Sequence, residues 1–446
     1  MATSPGKHSS PLGWRIWQLA WPLMLANCAA PLLGFADTAV IGNTGSTEAL
    51  GAIALGALIF NFLYWGCGFL RMGTTGFVAQ ARARGDQPEV TATLLRALMM
   101  GFLIGVAFVI TQTLVASLAL SLLDASAAVE AQTRAYLVCR IWGAPASLAS
   151  FAILGAWIGL GRSDLVLKFQ LFLNGVNIAL DLWLAGVMDW GVVGIGVGTA
   201  IAEWLSFLLA LVLLARNLVD RNGKRPELPW ALMLDRQGLR QSLAANGDII
   251  LRTLFMLFGF AWFTNQAAGF GDEVLAANHI LLQFITFSAL ILDGFAHAAE
   301  PLVGQAIGEK RRRYFDAVLR TSLAWSASSA LCLAVGIFVI GPQAIQWFTD
   351  ISSVRALAQG YLFYAAMYVG LSFAAFQLDG IFIGATQTPE MRNASGMALA
   401  VFIVAWYLLS VRFGYHGLWW AMLIYVAARA CTLGVYLPRL RARMLD

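Results

Sequence analysis

Apolar residues fill this chain in long blocks, and polar residues fall almost entirely between them. Twelve blocks are long enough to cross a bilayer, whose hydrocarbon core takes about 20 helical residues to span. They lie near 14–42, 49–80, 94–123, 136–160, 165–188, 191–215, 242–266, 274–305, 317–348, 356–383, 393–412 and 417–438. Several are longer than a straight crossing requires, which predicts tilt or protrusion beyond the bilayer. The pattern predicts an all-α integral membrane protein with twelve transmembrane helices.

Arginine and lysine give the orientation. The connections after the second, fourth, eighth and tenth spans carry Arg82 and Arg84, then Arg162, then Lys310, Arg311, Arg312 and Arg313, then Arg392. The connection after the sixth carries Arg216, Arg221, Lys224, Arg225, Arg236 and Arg240, and the tail carries Arg439, Arg441 and Arg443. The opposite connections hold only Arg134, Arg355 and Arg412. The positive-inside rule then places both termini in the cytoplasm of a multi-pass protein of the plasma (cell inner) membrane. Because the net charge of +5 sits in short clusters and not on a continuous face, nucleic acid is not an expected partner. "MATSPGKHSSPLGWRIW" is followed by no small-residue cleavage site, so the first span is expected to be retained.

The basic connection at 216–241 lies near mid-chain and prompts a search for a repeat. One appears at an offset of 225 residues. "FVAQARARG" aligns with "LVGQAIGEK", matching Gln80 to Gln305. "FAILGAWIG" aligns with "FQLDGIFIG", matching Phe151, Gly155, Ile158 and Gly159 to Phe376, Gly380, Ile383 and Gly384. Six spans per repeat is an even number, so both halves have the same orientation. The expected organisation is an N-terminal six-helix lobe at 1–215, a cytoplasmic linker at 216–241 and a C-terminal six-helix lobe at 242–446. The two lobes are expected to be pseudo-symmetric about an axis along the membrane normal, with a cleft between them.

Composition sharpens the chemistry. The chain is 59% hydrophobic and only 12% charged, so an acid inside a span is conspicuous. A charge at the bilayer centre costs roughly 2.5–3.5 kcal/mol on insertion scales, and such residues mark pathways by default. Asp37 in "PLLGFADTAVIG" and Asp181 in "NGVNIALDLWLAG" fall roughly 8–11 Å below the outer ends of the first and fifth spans, at 1.5 Å per residue. Thr199 of the sixth span lies at a similar depth. Asn177 stands one turn before Asp181, and Glu203 one turn after Thr199. Asp37, Asn177, Asp181 and Thr199 thus form a candidate site for H⁺ or Na⁺. Two carboxylates held close together cannot both ionise cheaply, and Na⁺ favours oxygen ligands. The repeat supplies a control, since Asp37 corresponds to Trp262, Asn177 to Phe402 and Asp181 to Trp406. Acids required by the fold alone would be expected in both halves.

Pro22 and Pro31 precede Asp37 in the first span, where each removes a backbone hydrogen bond and offers a hinge. Asp248 and Arg252 are one turn apart and read as a buried pair. With Glu203, Asp293 and Asp379 they form a gating or substrate set, near His297 and Glu300. His279 reads as packing, and the five scattered cysteines read as packing residues. No nucleotide-binding, nucleophile or metal-cluster motif is present, so an enzyme is not expected. No cofactor is expected beyond H⁺ or Na⁺ as the coupling ion.

"PLLGFADTAVIG", the pair Asn177 and Asp181, and "LDGFAHAAEPLVGQAIG" resemble the multidrug and toxic compound extrusion family in its DinF-like branch. The resemblance covers nearly the whole chain. It implies two six-helix lobes and cation-coupled antiport of organic, often cationic, compounds. It implies coupling roles for Asp37, Asn177, Asp181 and Thr199, and a first-helix bend at Pro22. Members often carry a Tyr one turn before the first-helix acid, where Leu33 stands here. The expectation is a monomeric multidrug efflux antiporter whose partners are small organic substrates and the bilayer, working through a cleft lined by Met and aromatic residues. A lipid-linked precursor flippase of the same superfamily is the alternative, although it would call for a basic cleft.

Overall fold

The computed structural model describes residues 11–121, 125–218 and 229–443, so Arg221, Lys224 and Arg225 of the basic connection lie outside the described residues. The first half contains α1 (Leu12–Thr44), α2 (Thr47–Gly66), α3 (Phe69–Ala83), α4 (Gln87–Ile110), α5 (Gln112–Ser121), α6 (Ala127–Arg140), α7 (Ala144–Gly159), α8 (Ser163–Asp181) and α9 (Gly191–Leu218). After the short α10 (Trp230–Met233) come α11 (Arg236–Ala268), α12 (Asp272–Gly308), α13 (Arg312–Phe348), α14 (Ser352–Gly384) and α15 (Thr388–Ala442). Among the described residues eleven continuous stretches are long and apolar enough to cross a membrane. The last, α15, contains two of the expected spans, separated by Gly414 at φ 53° and ψ −128°. Only glycine adopts that backbone readily, so the described residues contain twelve stretches able to cross.

Three predicted blocks are each built from two helices. The second breaks at Gly66–Gly68, where two glycines weaken the helix. The third breaks between Ile110 and Gln112. The fourth breaks through a tight turn at Ile141–Gly143 ahead of Pro145, whose ring cannot donate a backbone hydrogen bond. Apolarity alone does not register such joints. In contrast, α1 stays helical through Pro22 and Pro31. It is gripped nearby from both halves: Asn174 donates to the Ala29 carbonyl at 2.5 Å, and Asn27 donates to the Leu290 carbonyl at 3.1 Å.

The repeat is visible in the contacts. Gly155 lies against the Arg71 carbonyl, and its counterpart Gly380 lies against the Ala296 carbonyl. Gly159 meets the Thr75 carbonyl as Gly384 meets that of Glu300. Each pair is the same helix crossing made twice, close because no Cβ intervenes. Apolar cores fill each half, around Trp157 in the first and around Trp419 and Tyr425 in the second.

The halves join toward the arginine-rich end. There Ile16 and Ala20 pack with Phe295, Leu302 and Phe382, and Gly76 lies against the Ile383 carbonyl. Gln80 donates to the Gly384 carbonyl at 3.0 Å and to Thr386 at 3.2 Å. Arg15 donates to Gln305 at 3.1 Å. Toward the other end a groove of 1090 Å³ separates Phe62 of α2 from Leu254, Phe255 and Phe258 of α11. Its walls are mostly aromatic and aliphatic, with Thr264 and Asn265 among them, and no methionine lines it. A valine in place of Gly76 is expected to pry the closed end apart. Overpacking costs about 1–3 kcal/mol, enough to shift a two-state population about 5- to 150-fold. Cysteines placed at Gln80 and Thr386 in a cysteine-free background should then cross-link far less in G76V. Equal yields would show that this seam is not tightly packed.

Candidate functional site

Small residues set the geometry of the site. In "GVVGIGVGTA", Gly194 packs on Ala185, Gly196 on the Tyr136 carbonyl, and Gly198 within 2.7 Å of Asp181 Oδ1, measured from where a Cβ would stand. These glycines let α9 lie close to α6 on one side and α8 on the other. α8 ends at Asp181 and continues as a π-helical turn, Leu182–Val187, a distortion that recurs at functional sites. α1 packs along α8 and brings Asp37 to the same place.

The four predicted site residues come together. Asp37 is 2% exposed, while Asn177, Asp181 and Thr199 are fully buried. The Asp37 and Asp181 carboxyls are close enough to perturb each other. Asn177 Nδ2 donates to Thr199 Oγ1 at 3.0 Å, and Thr199 donates to the Ile195 carbonyl at 2.9 Å. These bonds leave Asp37 Oδ1, both Asp181 oxygens and Asn177 Oδ1 buried with no donor among the described residues. Buried acceptors are normally satisfied. Four that are not, three of them on facing carboxyls, suit a proton or a small hard cation. The counterpart place in the second half holds Trp262 edge-on to Trp406, ring centres 5.2 Å apart, with Phe402 buried. The same helix crossing therefore forms an acidic pocket in one half and an aromatic contact in the other.

The remaining charges sort differently from the expectation. Asp248 and Arg252 do not pair with each other. Asp248 takes Arg392 at 2.6 Å and Thr388 at 3.0 Å, while Arg252 reaches across to Asp379. Residues one turn apart on a helix point along one face, yet stronger partners on α14 and α15 claim each of them. Asp379 also accepts from Arg429 at 2.8 Å. Glu300 holds His297 at 2.9 Å and faces Arg71 of the other half at 3.7 Å. Asp293 stands between these sets, within electrostatic reach of His297, Arg71, Arg252 and Asp379. His279 is exposed beside Gln283 and is not packed inside.

Sequence reading passed over Arg140 of α6, which is 7% exposed, along with Tyr136 and Tyr64. Glu203 joins them, accepting from Tyr64 at 3.5 Å. The signal was available, because an arginine inside "YLVCRIWGAPAS" is as costly as an acid there.

Three comparisons bear on this architecture. The MatE family model matches residues 22–183 and again residues 249–408, once in each half. The chain is similar to DNA damage-inducible protein F of Escherichia coli (strain K12), 34% identical over 94% of this chain and 90% of that protein, in keeping with the DinF-like motifs. In fold it is similar to Vibrio cholerae MATE transporter VcmN in the bent form, with TM-score 0.85 and 16% identity over 97% of this chain and 98% of that one. It is similar also to a multidrug resistance MATE family transporter in an outward-facing conformation, with TM-score 0.85 and 17% identity over 97% of each chain. Matched by the family model over well more than half its length, this multi-pass chain belongs to the MatE family and is a membrane transporter, not an enzyme.

Proposed function

We propose that this transporter is a secondary active multidrug efflux antiporter of the plasma membrane, with both termini in the cytoplasm. It exports organic, often cationic, compounds in exchange for H⁺ or Na⁺. The lobes 1–215 and 242–446, joined by the linker 216–241, alternate access by rocking. The reading is carried by the facing Asp37 and Asp181 carboxyls, whose orphaned oxygens have only aromatic counterparts in the second half. On this reading the arginine-rich end is cytoplasmic and the conformation is open outward.

An ion arriving from outside binds Asp37 and Asp181 with help from the Asn177 and Thr199 oxygens. It cancels the repulsion between the acids and lets α1 repack, with Pro22 and Pro31 available as its hinge. Coupling follows because the ion binds the two lobe arrangements unequally. The aromatic groove beside Phe62 and Phe258 suits a lipophilic cation. The charge network running from Arg71 through Glu300 and Asp293 to Asp379 crosses the halves and suits a gate. In proteoliposomes a fluorescent lipophilic cation should move only against an imposed pH or Na⁺ gradient, and stop when an ionophore collapses that gradient. Equal movement with no gradient would refute antiport.

A further inference from the structure

The pocket contains a fixed cation that the scheme above leaves idle. Arg140 ends α6, its guanidinium donates to the Tyr136 hydroxyl, and it lies over the Phe60 ring at 4.4 Å from the centroid. Among the described residues it forms no ion pair, and its Nε is buried without an acceptor. An uncompensated buried charge is heavily disfavoured. Yet acids surround it. Asp37 of α1, Asp181 of α8 and Glu203 of α9 are all close enough to feel its charge. The phenols of Tyr64 on α2 and Tyr136 on its own helix complete the ring.

The backbone brings these groups close. Gly196 of α9 lies beside the Arg140 amide, Gly198 beside the Asp181 carboxyl, and Gly143 beside the Glu203 carboxyl. The repeat provides a second control. At the offset of 225, Arg140 corresponds to Ala365 and Glu203 to Ala428, whereas Tyr136 corresponds to Tyr361. The twin half thus lacks the arginine where it lacks the acids, and keeps the tyrosine. A guanidinium needed only to build the fold would be expected in both.

We infer that Arg140 is an internal stand-in for the coupling ion: it turns from its perch on Phe60 and Tyr136 to the Asp37–Asp181 pair when the ion leaves, and returns when the ion binds. The inference rests on the ion-coupling reading of those two acids. Its physical basis is the release step. Removing H⁺ or Na⁺ from two adjacent buried carboxyls strands negative charge where it is poorly solvated. A guanidinium within electrostatic reach neutralises that charge once it turns to the pair, and its planar fork matches a carboxylate. The ring face of Phe60 holds the cation while the acids are occupied, and Glu203 keeps a carboxylate near the perch. Arg140 is therefore a positioning residue that sets how readily the ion is released.

The test uses the full-length protein in proteoliposomes, with ethidium export driven by a pH gradient in one arm and a Na⁺ gradient in the other. Arg140→Gln removes the competitor, so half-saturation should need about tenfold less driving ion while the maximal rate falls about tenfold, since release is slowed. Phe60→Leu removes the perch and should move half-saturation the opposite way. Arg140→Lys keeps the charge without the fork and should lie between wild type and Arg140→Gln. An unmoved half-saturation in Arg140→Gln, or shifts of the same sign in Arg140→Gln and Phe60→Leu, overturns the inference. If Arg140→Gln does not reach the membrane, the Phe60→Leu and Arg140→Lys curves decide, and wild-type half-saturation in both overturns it. Gradient-driven export that survives both Asp37→Asn and Asp181→Asn removes the coupling reading, and this inference falls with it. Export lost in those variants alongside a wild-type Arg140→Gln curve removes this inference alone.

Discussion

Asp37→Asn is expected to lower gradient-driven export by about 100-fold, the upper range of a coupling free energy of 1–3 kcal/mol, while the protein still inserts and folds. Asn preserves the volume of the side chain and one of its acceptors, so packing of α1 on α8 is untouched. It cannot bind or release a proton, and it removes half of the charge that attracts a cation. The acid faces another acid and makes no ion pair among the described residues, and its loss leaves Asp181 and Glu203 beside the nearby Arg140. Thermal stability should therefore hold or rise, because repulsion with Asp181 disappears. Thr199→Ala should do much less, since one hydroxyl hydrogen bond contributes only about 0.5–1.5 kcal/mol. Proteoliposome rates measured beside detergent melting curves separate the two effects. Normal export by D37N would end the coupling role. A collapsed melting curve would instead make Asp37 a structural residue.

Asp379→Ala is expected to give the reverse pattern, a large loss of stability. Asp379 is 7% exposed and accepts from both Arg252 and Arg429, which are themselves 5% and 6% exposed. Removing the acid leaves two guanidinium groups facing one another in a site with little water. Breaking a buried pair from one side costs about 3–5 kcal/mol. Solubilised D379A should melt well below wild type and give little monodisperse protein in size-exclusion chromatography. Replacing Asp379, Arg252 and Arg429 together by leucine should recover much of that stability, because no charge is left unpaired. Asp248→Ala should cost less, since Arg392 is partly exposed and can turn to water. A wild-type melting curve for D379A would mean that this cluster is not holding the second half together.

The contrast between the two acids shows how far a sequence can be read. Both stand in apolar blocks and both are flagged by the same energetic rule. Their partners decide what each does, and partners come from distant segments. Asp379 meets arginines 127 and 50 positions away along the chain. The one-turn spacing of Asp248 and Arg252 was a local signal, and non-local competitors overrode it. Arg140 was overlooked for a related reason. Counting basic residues for topology looks at the connections, whereas Arg140 lies inside a block.

The chain by itself determined the number of crossings, the repeat and the shared level at which Asp37, Asn177, Asp181 and Thr199 meet. Those follow from hydrophobic length, alternating charge and a fixed rise per residue, which are one-dimensional quantities. It also showed that the acids belong to one half, because a repeat lets a sequence be compared with itself. The tertiary structure alone decided which charges satisfy one another, which oxygens are left without a donor and where the halves touch. Those depend on how helices cross, and the crossings are set by where a missing Cβ lets two backbones meet. Pairing inside a membrane is a matter of distance in space, on which spacing along the chain is silent.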